Sequence, residues 1–94
     1  MTQIDWYSGI VVTMDPDAVL DYEMEFADWL GNKTLASHTV TAVNCEVTAV
    51  TAPTATSVAF RVAEVSVGAS VKVRCETGDG LIDDFTIRFR PQEK

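Results

Sequence analysis

The chain has 94 residues, a formal net charge of −7 at pH 7 and an isoelectric point of about 4.4. This length indicates a single domain, and no apolar run approaches the ~20 residues that a membrane span requires. The acidic balance argues against a nucleic-acid partner, because proteins that bind phosphate backbones carry a basic patch. The composition therefore predicts a globular domain that binds neither membranes nor nucleic acids.

The chain begins with an apolar segment and two predicted strands. Residues 1–9 are interpreted as a possible N-terminal arm, and Ile10–Met14 as the first strand. The DPD sequence at 15–17 is typical of a turn, because proline fixes φ and the flanking aspartates can bond the nearby backbone. In the second predicted strand, Val19–Phe26, apolar and acidic residues alternate. One face of this strand is therefore expected to pack on a core and the other to face water.

Five further strand-like runs follow, and turn residues separate them. Trp29 and Leu30 precede the first of these runs, and a large indole in this position is expected to close the end of a β-sheet core. The runs are rich in Thr, Val and aromatic residues, and they span Thr34–Val43, Cys45–Thr51, Thr56–Glu64, Ser70–Thr77 and Ile82–Arg90. Seven short strands spaced roughly ten residues apart predict an antiparallel β-sandwich of two sheets. The sandwich is expected to form one domain over residues 1–94, with residues 91–94 as a solvated tail.

The alternation of apolar and polar residues also predicts which side chains face the core. In the last three strands the inward set is Val58, Phe60, Val62, Val71, Val73, Cys75, Phe85, Ile87 and Phe89. In the run that begins at Cys45, that cysteine is expected to share a face with Val47 and Ala49.

Cys45 and Cys75 are the only cysteines, and both fall on inward strand positions. A disulfide between them is conceivable and would add about 3–4 kcal/mol in the loop-entropy model. The N-terminus, however, lacks the basic flank and cleavage site of a signal peptide, which predicts a cytoplasmic chain with reduced thiols. Free cysteine is also among the most buried residue types. Two buried, unreactive thiols are therefore the favoured interpretation.

No residue pattern predicts catalysis, a cofactor or a metal site. His38, the only histidine, has none of the spacings typical of metal sites and is expected on a solvent-facing strand position. None of the serines lies in a GxSxG context. Asp79, Asp83 and Asp84 cluster near one hairpin and could hold Ca²⁺ through oxygen ligands. Their spacing differs from that of an EF-hand, however, and turn-forming aspartates explain the cluster as well.

The acidic charge is concentrated in the first half of the chain. Residues 1–47 hold eight acids and one base, whereas residues 48–94 hold six of each. Asp21, Glu23 and Glu25 form the polar face of the second predicted strand. We expect them to pair across strands with the cations of Lys72/Arg74 or Arg88/Arg90, each exposed pair contributing about 0.2–1 kcal/mol. The alternative is an acidic docking surface for a basic partner.

Trp6 and Tyr7 are the second candidate contact. They either close one end of the sandwich or form an arm that packs on a neighbouring subunit, because aromatic residues are enriched in interface cores. An open sandwich also has edge strands that can pair with another chain.

Three segments carry a resemblance to a known family. DPDAVLDY (15–22), WLGNKTLAS (29–37) and VSVGASVKVRCETGDGLIDDFTIRF (65–89) resemble small immunoglobulin-like proteins of tailed bacteriophages and prophages, described as fiber–tail adaptors or minor tail proteins. The segments follow the family order and span most of the chain. The chain departs from the family pattern at Val71, where an aromatic residue is common, and at Leu81, where an arginine is common. These departures concern packing and surface contacts.

The resemblance implies an immunoglobulin-like sandwich without enzymatic activity. It also implies a structural part of the virion tail, made in the bacterial cytoplasm, that binds other phage tail proteins and can form homo-oligomers. The candidate partner contacts are Trp6, Tyr7, Asp21, Glu23 and Glu25. The alternative is a small binding module for carbohydrate or a host surface. That module would need exposed aromatic residues, for which Trp6 and Tyr7 are the candidates.

Overall fold

The computed structural model describes the backbone of residues 2–5 and the backbone and side chains of residues 11–92. Eight strands and one short helix lie in these ranges. In chain order they are β1 (Thr2–Asp5), β2 (Val11–Met14), β3 (Leu20–Glu25), α1 (Ala27–Leu30), β4 (Leu35–Val43), β5 (Glu46–Thr51), β6 (Ser57–Ala63), β7 (Ser70–Thr77) and β8 (Ile82–Pro91).

The strands form two four-stranded sheets. The first sheet has the order β1-β3-β6-β5, and the second has the order β2-β8-β7-β4. In the immunoglobulin fold one sheet has the order A-B-E-D and the other contains C-F-G, and both orders appear here when β1 is taken as strand A. The predicted immunoglobulin-like sandwich is therefore confirmed.

Two strand pairs differ from the antiparallel arrangement expected from the sequence. β1 pairs with β3 in parallel, and β2 pairs with β8 in parallel. Both β1 and β2 come from the N-terminal region, and each occupies an edge of a different sheet. Part of the predicted N-terminal arm is thus an eighth strand. Four residues are too few for alternation to indicate a strand from sequence.

The core lies between the sheets and consists of the residues expected there. All nine predicted inward side chains of β6, β7 and β8 are buried, as are Tyr22 and Met24 of β3. The ring of Tyr22 lies edge-on to Phe89 with centroids 5.5 Å apart, and its hydroxyl points to the sulfur of Met14 at 3.5 Å. Such aromatic pairs add about 0.5–1.5 kcal/mol beyond their burial. The alternation in the sequence thus placed these core side chains correctly, whereas Leu20, which shares the alternation at the start of β3, is 44% exposed.

The segment after β3 closes one end of the core, as predicted for Trp29, but it does so as a helical turn. The amide of Leu30 donates to the carbonyl of Phe26, and that of Gly31 donates to the carbonyl of Ala27, both at 2.9 Å. This turn places the indole of Trp29 against the Phe85 ring, with centroids 5.4 Å apart. Gly31 ends the turn at φ +65°, in the region that favours glycine.

The edge strand β5 breaks its expected alternation. Ala49 was expected to face inward with Cys45 and Val47, but it is exposed and has a φ of +52°. The pairing of β5 with β6 shifts register between Thr48 and Thr51. An extra residue in a bulge reverses the alternation beyond it, so the prediction for Ala49 was wrong.

Candidate functional site

The five predicted contact residues fall into two groups. Trp6 and Tyr7 lie outside the described residues, and their contact with a partner stays a prediction. The other three, Asp21, Glu23 and Glu25, lie together on the outer face of β3, as expected from the alternation.

Asp21 pairs with a cation, but not with one of those expected. Its carboxylate accepts hydrogen bonds from the guanidinium of Arg61, at 2.8 Å from Nε and 3.3 Å from Nη2. β3 neighbours β6, which places Arg61 directly opposite Asp21. The expected cations lie on the outer face of the other sheet. The hydrogen bond to Arg61 is the main cause that lowers the pKa of the Asp21 carboxyl.

The other two acids of this row also have partners within the chain. Glu23 accepts a hydrogen bond of 2.7 Å from the hydroxyl of Ser57, which is fully buried. Glu25 accepts one of 3.0 Å from the backbone amide of Ala27, where the helical turn begins. The acidic row therefore helps to hold β6 and α1 in place.

The cations divide into two groups. Lys33, Arg61 and Arg74 form salt bridges with Asp79, Asp21 and Asp84 at 2.8–2.9 Å. Among residues 11–92, by contrast, Lys72 of β7 and Arg88 and Arg90 of β8 have no salt bridge. All three of these side chains are exposed on the outer face of the second sheet. Lys72 contributes to the lowered pKa of Asp84, after the hydrogen bond from Arg74.

The free edge of the second sheet is the longest open edge in the described part of the chain. β4 pairs with β7 on one side, and no described strand pairs with it on the other. At its start, the amide of Leu35 donates to the carbonyl of Ala55 at 2.9 Å, so the open part of the edge begins after Leu35. The nine residues of β4, LASHTVTAV, contain no Asp, Glu, Lys or Arg and no proline. The side chains of His38, Val40 and Ala42 are half-buried, and those of Thr39 and Thr41 between them are exposed.

His38 was expected to face solvent, and this expectation was wrong. It lies opposite the buried Cys75 on the inner face of β4 and is half-buried. The pairing with β7 shifts register between Leu35 and Ser37. The extra residue at this irregularity, Ala36, moves every later residue of β4 to the opposite face.

Both cysteines are free thiols, which agrees with the favoured interpretation. Cys75 is fully buried, and burial, with smaller contributions from the charges of Asp83 and Asp84, raises the pKa of its thiol to about 12. Cys45 is only half-buried, and its sulfur donates to the carbonyl of Ser70 at 3.6 Å. Burial also raises the pKa of Cys45. Neither thiol is activated as a nucleophile.

The aspartates near the last hairpin serve as local partners. Asp79 accepts hydrogen bonds from Lys33 and from the hydroxyl of Thr77, and these bonds lower its pKa. Asp83 accepts one of 2.8 Å from the amide of Asp84. Within residues 11–92, no three carboxylate, imidazole or thiol groups come together as a metal site.

A groove of about 470 Å³ lies at the end of the second sheet. It is lined by Val11, residues 67–70 and residues 88–91, so its wall combines aliphatic groups with the two arginines of β8. No acid lines it. The described aromatic side chains are buried or, for Trp29, packed against the core.

Comparison with known proteins identifies the family of the chain. None of the curated proteins matches it, and none of the helices in the described ranges is long and apolar enough to cross a membrane. One family profile matches residues 14–90. This range includes α1, the whole of β3 to β7, β8 except its last residue, and only Met14 of β2. The chain belongs to the family described as podophage GP4 fiber-tail adaptor protein gp77, a family of structural phage-tail proteins.

Proposed function

We propose that this protein is a part of the podophage virion that joins the fibers to the tail through protein–protein contacts. The observation that carries the proposal is the family match over residues 14–90. This range holds almost the whole sandwich, so the adaptor family and the folded domain coincide. The protein would be made in the bacterial cytoplasm and would reach the tail during assembly.

The architecture supports a role based on shape. The core side chains interlock between two sheets, and local ion pairs on the outer faces hold Asp21 against Arg61 and Asp84 against Arg74. A closely packed sandwich of this type keeps its surface rigid, so a partner meets a preformed contact surface at little conformational cost. We expect the protein to act without catalysis.

The experiment is removal of the gene from the phage genome. We expect particles that assemble heads and tails but lack fibers when they are viewed by negative-stain electron microscopy. Supplying the full chain from a plasmid should restore the fibers, which controls for effects on neighbouring genes. Particles that carry complete fibers without this protein would overturn the proposal.

A saccharide-binding role predicts a different result. Deletion particles would then carry normal fibers and fail only in attachment to the host. Since the described aromatic side chains lie in the core or against it, this alternative depends on Trp6 and Tyr7.

A further inference from the structure

Three of the four sheet edges are protected against pairing with another chain. In the described part of the chain, β1 and β2 have four residues each. β5 has a bulge, with Ala49 at a φ of +52°. Short edge strands and bulges are the devices by which natural sheets avoid unwanted pairing.

β4, in contrast, is nine residues long and carries no Asp, Glu, Lys or Arg side chain along its edge. After the irregularity near Ala36, Ser37–Val43 runs in unbroken antiparallel register along Glu76–Ser70 of β7. In a regular antiparallel strand, alternate residues direct their N–H and C=O groups away from the paired neighbour. β4 therefore presents a row of backbone donors and acceptors over seven residues, a length of about 23 Å.

We propose that β4 receives an extended segment of another tail protein as an additional strand of the second sheet. This inference rests on the proposed function and assigns the contact surface for it. Strand addition of this type takes its affinity from main-chain hydrogen bonds and its specificity from alternate side chains.

The side chains beside the open edge define the chemistry of the added strand. On the inner face, Val40 and Ala42 are only half-buried, because the core layer stops at β4. Apolar residues of an added strand would extend this layer. On the outer face, Thr39 and Thr41 are exposed, and Lys72 lies opposite Thr41 on the next strand.

Lys72 favours an acidic partner. An added strand would lie two strand spacings from β7, about 9.6 Å, which a lysine and a glutamate side chain can bridge together. Lys72 has no salt bridge among the described residues, and neither do Arg88 and Arg90 on the strand beyond it. The occupant is therefore a segment in which apolar residues alternate with polar ones and one acidic residue lies beside Thr41, within reach of Lys72.

A second copy of this chain fits the edge less well. Pairing of β4 with the β4 of a second copy would offer no carboxylate to Lys72, since β4 contains no acid.

The test compares two lysine substitutions on edge strands. Val40 on β4 and Val47 on β5 are both half-buried valines packed against the core, each opposite a buried valine. Val40→Lys places a charge beside the proposed added strand, whereas Val47→Lys carries a similar cost to folding on a different edge. Thermal melts of both variants show whether they remain folded to a similar extent.

The probe is the fiberless particle from phage that lacks the gene. Purified full-length protein is added, and the amount retained on the particles is measured by quantitative mass spectrometry. We expect Val40→Lys to reduce retention at least tenfold and Val47→Lys to change it less than twofold. Lys72→Glu, an exposed substitution, should reduce retention about three- to tenfold.

Hydrogen exchange distinguishes strand addition at β4 from a contact elsewhere on the protein that the Val40→Lys substitution disturbs indirectly. Backbone amides of residues 37–43 should exchange at least tenfold more slowly on the particle than in free protein. Equal retention of folded Val40→Lys and wild type, or unchanged exchange in this segment, would overturn the inference while leaving the proposed function intact. Concentration-dependent protection of the same amides in purified protein would assign the edge to self-pairing and also overturn it. Failure of wild-type protein to bind the particles would count against the proposed function itself.

Discussion

Replacement of Phe85 tests whether the aromatic cluster at the α1 end stabilises the sandwich. The Phe85 ring lies 4.9 Å from that of Phe26 and 5.4 Å from that of Trp29, between centroids, and Phe85 is 6% exposed. Truncation of such a ring to alanine costs about 3–5 kcal/mol, from lost burial and the cavity that remains. A domain of this size has a free energy of unfolding of about 5–14 kcal/mol. Phe85→Ala should therefore remove a large share of the stability.

The assay is urea unfolding at pH 7, followed by far-ultraviolet circular dichroism. With an m-value of about 1.5 kcal/mol/M, the loss corresponds to a fall of about 2–3 M in the urea midpoint. Phe85→Leu should cost less, about 1–3 kcal/mol, because it removes two aromatic pairs but leaves most of the volume. Ile82→Ala is the matched control on the same strand, since Ile82 is 54% exposed, and it should change stability by less than about 0.5 kcal/mol. A loss below about 1 kcal/mol in Phe85→Ala, or an equal loss in Ile82→Ala, would refute the reasoning.

Three further predictions concern single groups. At pH 8 the native protein should react with a thiol reagent slowly at Cys45, and at Cys75 only on unfolding. The reason is that Cys75 is fully buried and the pKa of its thiol is raised to about 12. Rapid modification of Cys75 in the native protein, located by mass spectrometry, would contradict its burial. The pKa of Asp21 is lowered in the folded state, so its contribution to stability is present above about pH 4 and is lost as the pH falls through the lowered value. Asp21→Asn should therefore differ from wild type in melting temperature at pH 7 but converge with it at low pH, and a constant difference at all pH values would argue against the ion pair. Gly80→Ala should destabilise the last hairpin by about 1–2 kcal/mol in urea titrations, because Gly80 has a φ of +94°. Gly78→Ala should be close to neutral, because the φ of Gly78 is not positive and the added Cβ meets no atom within 4 Å. Equal effects of the two substitutions would contradict this reasoning.

The family of the chain could also be inferred from sequence, because its short motifs lie in the expected order. Residues 15–22, 29–37 and 65–89 carry the resemblance, and the family profile matches residues 14–90.

The candidate contact surface was harder to predict from the sequence. Alternation places Asp21, Glu23 and Glu25 on an outer face, but it does not say which strand lies beside them. The partner of Asp21, Arg61, is forty residues away and became its neighbour only through the pairing of β3 with β6.

The amino-acid sequence by itself determined which side chains are buried in regular strands. Phe85, Ile87 and Phe89 face the core because successive residues of an extended backbone point to opposite sides, a local property that needs no knowledge of neighbours. Only the tertiary structure decided the positions of His38 and Ala49, because each follows a register irregularity that depends on the pairing of two strands. It also decided that β4 is an open edge, since strand order is fixed by contacts between distant segments.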